Sequence, residues 1–289
     1  MISRRLIRRY RARRPAGERP RPAGPSRPAA ERGSAWLVLH QAHYDLRSFW
    51  RNRQARFFTL LLPLIFLVIF VSVFGHHTIG RTNIKTSTYY VPGIATLAVI
   101  AASFVNLVIT ITAQRETGIF KRRRATPVPA LVLILGRMLS AIAVAVGVMT
   151  MLLAIGWIAY GVRVATSNIP GIAIAAVVGA STFCILGYAL STAIDSADSA
   201  QPMVQAIMLP LYFISGVFIP NVNLPSWLQS VSKFFPVEHL ANALHHAYVP
   251  GTRGLGIEWS DLGVLVLWGV AGLVIALRRF SWLPHNATG

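Results

Sequence analysis

Six stretches of this sequence run for 16 residues or more without one Asp, Glu, Lys or Arg: 57–75, 86–114, 138–162, 164–194, 199–232 and 262–277. A helix needs about 20 mainly apolar residues to cross the hydrocarbon core of a bilayer. Inside that core, every backbone polar group must be satisfied within the protein. The runs therefore point to an all-α integral membrane protein, with spans expected near 57–75, 90–113, 138–160, 169–193, 201–219 and 262–278. The last is the weakest, because it lies between Asp261 and Arg278 and needs Arg278 to snorkel. Composition agrees: 54% of the 289 residues are hydrophobic and 13% are charged, against about a quarter charged in soluble domains.

The net charge of +19 suggests either a nucleic-acid binder or a membrane protein, and its placement decides. Fifteen Arg precede residue 57, six basic groups lie between the second and third spans, and Arg278 and Arg279 follow the sixth. With the N-terminus in the cytoplasm, 23 basic residues are inside, and only Arg81, Lys85, Arg163, Lys233 and Arg253 are outside. The positive-inside rule thus places both termini in the cytoplasm, and the expected location is the plasma membrane. No nucleic-acid partner is expected.

The domain order follows from the same shifts in composition. Residues 1–34, rich in Arg and Pro, read as a disordered basic cytoplasmic tail. Its opening resembles a twin-arginine signal, but no apolar region follows until Phe57. Residues 35–56 interleave Trp36, Leu39, Tyr44, Phe49 and Trp50 with His and Arg, as suits an amphipathic helix lying in the interface. The chain is expected to turn into the first span at Asn52 or Arg53. The transmembrane domain then covers 57–280, and 281–289 form a cytoplasmic tail.

Catalytic chemistry finds little support. None of the nine acidic residues falls in mid-span, and the pairs His76-His77 and His245-His246 lack the HExxH spacing. Glu238, His239 and His245 come nearest to a metal set, yet loosely spaced histidines beside an interface favour ordinary helix-surface roles. Cys184 is the one cysteine and lies within a span. The sequence holds no GxxxxGK[ST] loop, so energy for uphill transport would have to come from a partner.

Two segments carry more information. Between spans two and three, Gln114-Arg115-Glu116-Thr117-Gly118-Ile119-Phe120-Lys121 leads into Arg122, Arg123 and Arg124, and Pro127 and Pro129 close any helix. Two to three helical turns are expected here, projecting from the membrane as a small knob. After span five comes Phe213-Ile214-Ser215-Gly216-Val217-Phe218-Ile219-Pro220, followed by Leu224, Pro225 and Trp227. Gly216 would allow close helix approach, while Pro220 and Pro225 would break the helix at the outer face. Residues 228–235 and 237–244 read as short amphipathic helices that re-enter the membrane from outside.

The loop RETGIFKRRRATP and the element FISGVFIPNVNLPSWL, in this order within six spans, resemble the membrane subunit of an ABC-2 type ABC exporter, particularly drug-resistance exporters of the daunorubicin type. The resemblance covers about residues 35–280. It implies a homodimer or related pair of permeases served by two cytoplasmic ATPase subunits. ATP and Mg would be bound by those subunits, and this chain would hold no cofactor. It further implies that Arg115, Glu116, Thr117, Gly118, Phe120 and Lys121 belong to a coupling helix seated in the ATPase. The residues Gly216, Pro220, Leu224, Pro225 and Trp227 would then form an external gate. The 122–124 run is more basic than the family's usual loop, and His245-His246 stand where a basic residue is common.

Sparse polar groups suggest the pathway: Ser103, Asn106 and Thr110 on span two, and Gln205, Tyr212 and Ser215 on span five. They would equally serve interhelical hydrogen bonds. The function expected is an ATP-driven export permease for an amphipathic drug, lipid or metabolite. A membrane-embedded enzyme acting on lipid or glycan is the alternative, and a scaffold recruiting partners through the basic tail is a third reading.

Overall fold

The computed structural model describes residues 34–74, 78–79, 84–119, 130–162, 164–220, 224–248 and 255–279. The tail 1–33, His76 and His77, Phe120, Lys121, the 122–124 run, Pro127, Pro129, residues 221–223 and the end 280–289 lie outside the described residues.

The described chain is almost wholly helical, with one two-residue antiparallel pairing of β1 (Thr78–Ile79) with β2 (Ile84–Lys85). Helix α1 spans Ser34–Arg51. It ends where Asn52 leaves helical geometry (φ −85°, ψ 105°), and the Asn52 side chain then accepts from the Ala55 N–H at 3.1 Å. That contact caps the start of α2 (Arg53–Phe74), so the expected turn at Asn52 has a local cause. Helix α3 runs through Thr86–Ile100, a π-helical turn at Ala101–Val105, and Asn106–Glu116. It stops at Gly118, which adopts φ +69°, a left-handed conformation that glycine takes without penalty.

Gln114, Arg115 and Glu116 therefore form the last turn of α3, while the rest of the segment expected to form the coupling helix, from Phe120 on, lies outside the described residues. Nothing in the sequence breaks the helix before Thr117. The remaining helices are α4 (Ala130–Tyr160), α5 (Ile169–Ser191), α6 (Ala197–Ile214), α7 (Ser226–Ser232), α8 (Pro236–Tyr248) and α9 (Trp259–Arg279).

Among the described residues, five helices are long and apolar enough to cross a membrane: Arg53–Phe74, Thr88–Glu116, Leu131–Tyr160, Thr166–Ser191 and Trp259–Arg278. The segment expected to be weakest qualifies, because its helix starts at Trp259 and takes in Asp261 at its first turn. It is α6 that falls short, with 18 residues that include Asp198, Pro202 and Pro210. Helix α3 is the centre: 83% of its apolar window is buried, against 22% for α2 and 28% each for α4 and α9. Around it stand α2, α4, α5, α6 and α8, while α9 covers α5 and α8. The outer helices keep apolar side chains such as Ile65, Val146 and Leu267 exposed, as lipid-facing surfaces do.

Candidate functional site

The end of the bundle that carries α1 holds a polar cluster built on the last turn of α3. The Arg115 guanidinium donates to the Ser191 carbonyl at 3.0 Å, and also to the Ile194 carbonyl. Ser191 closes α5, so Arg115 places positive charge on carbonyls that the helix leaves unpaired. The next residue, Glu116, accepts at Oε2 from the backbone N–H of Ala197 at 2.9 Å, the first residue of α6. Ser196 completes that cap by accepting from the Ser199 N–H at 3.3 Å. Adjacent residues of α3 thus hold the end of one helix and the start of the next. Thr117 donates back to Ala113 O at 2.9 Å, and Gly118 turns the chain away.

One residue earlier, the Gln114 Oε1 accepts from Arg137 of α4. Arg137, only 7% exposed, also lies 3.7 Å from the Asp45 carboxylate of α1, which accepts from Gln41 Nε2 at 2.9 Å. A Cβ added at Gly136 would meet Gln41 Cγ at 2.6 Å, so the glycine is what admits α1 this close to α4. In the sequence Arg137 is one of the six basic groups between spans two and three and Asp45 falls within the interfacial segment 35–56, and nothing there pairs them.

At the opposite end of α6, the helix stops at Ile214, well before Pro220. Gly216, at φ +75°, makes the break, a position where side chains are strained. Its carbonyl accepts from Tyr89 Oη at 2.6 Å. The turn lays Val217 across Gly93, where a Cβ would meet Val217 O at 2.5 Å. It also places Phe218 among four rings, Phe70 stacked at 5.4 Å, Phe66 edge-on at 5.5 Å, Tyr212 and Phe213, and Phe70 in turn meets Tyr90 of α3. The motif's second phenylalanine is therefore the joint between α2, α3 and α6, which the sequence did not single out. Pro220 is half-buried, Leu224 accepts at its carbonyl from Gln229 Nε2 at 2.9 Å, and Pro225 precedes α7. Trp227 is 65% exposed.

Helix α8 buries Val237, Leu240, Ala241, Leu244 and Tyr248 against α3, α5 and α9. Its histidines are held separately. His239 Nδ1 lies 2.6 Å from Asp261 and Nε2 lies 2.9 Å from Lys233 O. His245 faces Ala241 O at 2.6 Å and Tyr89 O at 3.1 Å, and burial pushes its pKa down. Among the described residues no three His, Cys, Asp or Glu side chains converge in a way that would hold a metal ion.

The polar residues expected on the pathway separate. Gln205 and Tyr212 line an apolar cleft of about 380 Å³ between α2, α3 and α6, with Phe58, Phe66, Leu97 and Leu209 among its walls. Asn106 and Thr110 line a smaller cleft of about 80 Å³ against α1 and α4, beside Asp45 and Arg137. Ser103 is buried and donates within its own helix to Val99 O at 2.7 Å. Ser215 is buried with no partner for its hydroxyl among the described residues.

A bundle of long apolar helices around a buried central helix, with charged groups clustered at one end, defines a multi-pass membrane protein. The chain belongs to the ABC-2 type transporter family, whose profile matches residues 40–249. It is 28% identical over 219 residues to the "Daunorubicin resistance ABC transporter permease protein DrrB1" of Streptomyces coeruleorubidus, covering 74% of each chain. It is 21% identical over 249 residues to the "Inner membrane transport permease YadH" of Escherichia coli K12, covering 82% of this chain and 95% of that one. The resemblance seen in the two sequence motifs is thus a true family membership, and the family consists of transporter permease subunits.

Proposed function

We propose that the chain is the membrane-spanning half of an ATP-driven exporter, with α6 as a sixth span and both termini in the cytoplasm. The observation that carries this reading is the apolar cleft between α2, α3 and α6, wide enough for an amphipathic molecule and supplied with only Gln205 and Tyr212 as polar handles. Two copies would enclose the path, each contributing this cleft, and substrate would leave past the turn at Gly216, Pro220, Leu224, Pro225 and Trp227. Energy comes from two separate cytoplasmic ATPase subunits that bind ATP and Mg. The loop that follows Gly118, with Phe120 and Lys121, meets the ATPase, and Arg115 to Gly118 form the base through which its movement enters the bundle. The name of the Streptomyces relative makes daunorubicin the first substrate to try.

The test is affinity purification of the tagged chain from native membranes in mild detergent. An ABC ATPase should accompany it, and daunorubicin or another amphipathic drug should stimulate its ATP hydrolysis. Recovery of the chain without any ABC ATPase overturns the proposal.

A further inference from the structure

The family resemblance implies that Glu116 faces the ATPase, yet its carboxylate is occupied within the chain by the first N–H of α6. Its neighbour Arg115 is likewise occupied, by the carbonyls of Ser191 and Ile194. The two residues grip both sides of the short turn between α5 and α6, cation on the carbonyl end and anion on the N–H end, as the helix dipoles favour. Ile194 inside that turn is 1% exposed, so the turn is also seated against the bundle. Meanwhile α6 runs from this grip to the cleft at Gln205 and Tyr212 and on to the break at Gly216.

We infer that Arg115 and Glu116 are positioning residues: a clamp that makes the α5–α6 turn move with the end of α3, so that a push on the loop after Gly118 is delivered to α6 and its cleft. This rests on the reading of the chain as an ATP-driven permease. The clamp works as a rigid joint, held through the cycle, and does not itself bind the ATPase. Glu116→Ala removes the acceptor and Arg115→Ala removes both donors, whereas Glu116→Gln keeps an acceptor and loses only charge.

The variants are expressed in the native host, purified with whatever ATPase accompanies the chain, and reconstituted in liposomes with daunorubicin as probe. Both Ala variants should retain the ATPase while drug moved per ATP hydrolysed falls about fivefold, the scale of one hydrogen bond, and Glu116→Gln should stay near wild type. A covalent substitute provides a second readout. In Glu116→Cys/Ala197→Cys, a short bifunctional thiol reagent should restore the ratio lost in the reduced protein. The native Cys184 is fully buried and can remain.

Loss of the ATPase from Glu116→Ala means that the residue docks the partner, and overturns the clamp. So does an unchanged transport ratio in both Ala variants, or a cross-linked pair that stays uncoupled. If wild type itself brings no ATPase, the broader transporter reading falls before the clamp is reached.

Discussion

The ion pair of Asp45 and Arg137 shows how much a single buried charge depends on its company. Side-chain exposures of 16% and 8% remove both groups from most solvent, and the 3.7 Å separation is loose for a pair asked to offset that loss. Gln41 and Gln114 supply the missing hydrogen bonds, so four residues on α1, α3 and α4 act as a unit. Removing one charge leaves the other stranded. Asp45→Leu should therefore destabilise the chain by about 3 kcal/mol, while Asp45→Leu/Arg137→Leu should recover most of that loss. Thermal unfolding of the detergent-solubilised protein checks this, and a double variant as unstable as the single one would contradict it. None of this was legible beforehand, because the partners lie on three different helices. Gly216 was legible as a residue that matters, though for close approach rather than for the positive φ that ends α6.

At the scale of elements, the apolar runs mark the five helices that, among the described residues, are long enough to cross a membrane, since a segment without charge has few alternatives in lipid. Their ends were read less well. Pro220 and Pro225 are expected to break the helix after span five, yet α6 contains Pro202 and Pro210 and stops earlier, at Ser215 and Gly216. The π turn at Ala101–Val105 has no signal in the sequence. Consecutive helical residues point about 100° apart, so Ala101 and Val105 reach the cleft beside α6, while Asn106 and Thr110 face α1 and α4. Helix α8 makes a further prediction. His239 lies between two acceptors, and the hydrogen bond with Asp261 raises its pKa above the usual 6.5, helped by the Lys233 carbonyl and the Glu238 charge and opposed by burial. The folded chain therefore holds this proton more tightly than the unfolded one. The resulting stability is complete below about pH 6.5 and is lost as pH rises through the raised folded value. The melting-temperature gap between wild type and His239→Asn should be widest near pH 6 and narrow towards about pH 9. A flat or widening gap would show that the Asp261 contact does not depend on the proton.

Across the whole molecule, the charge of +19 and the apolar cleft belong to different problems. Most basic residues lie in the first 56 positions and in the loop after α3, a placement that by the positive-inside rule would hold those segments in the cytoplasm. The cleft between α2, α3 and α6 carries no charge, so an occupant is held by area and ring contacts, with Gln205 and Tyr212 fixing its orientation. Recognition of that sort tolerates many amphipathic shapes but is sensitive to lost volume. Leu209 offers the cleanest probe: it lines the cleft, yet is 49% exposed on α6, so a larger side chain can enter without overpacking the core. Leu209→Trp should put a bulky indole into the cleft and narrow it, raise the concentration of daunorubicin needed for half-maximal transport by about tenfold, and leave assembly with the ATPase unaffected. Leu273→Trp, at a 39% exposed position on α9 outside the cleft, is the control and should behave as wild type. Equal effects from the two variants would mean that drug does not pass through this cleft, whereas a loss confined to Leu209→Trp places the substrate against α6, on the helix whose start Glu116 holds.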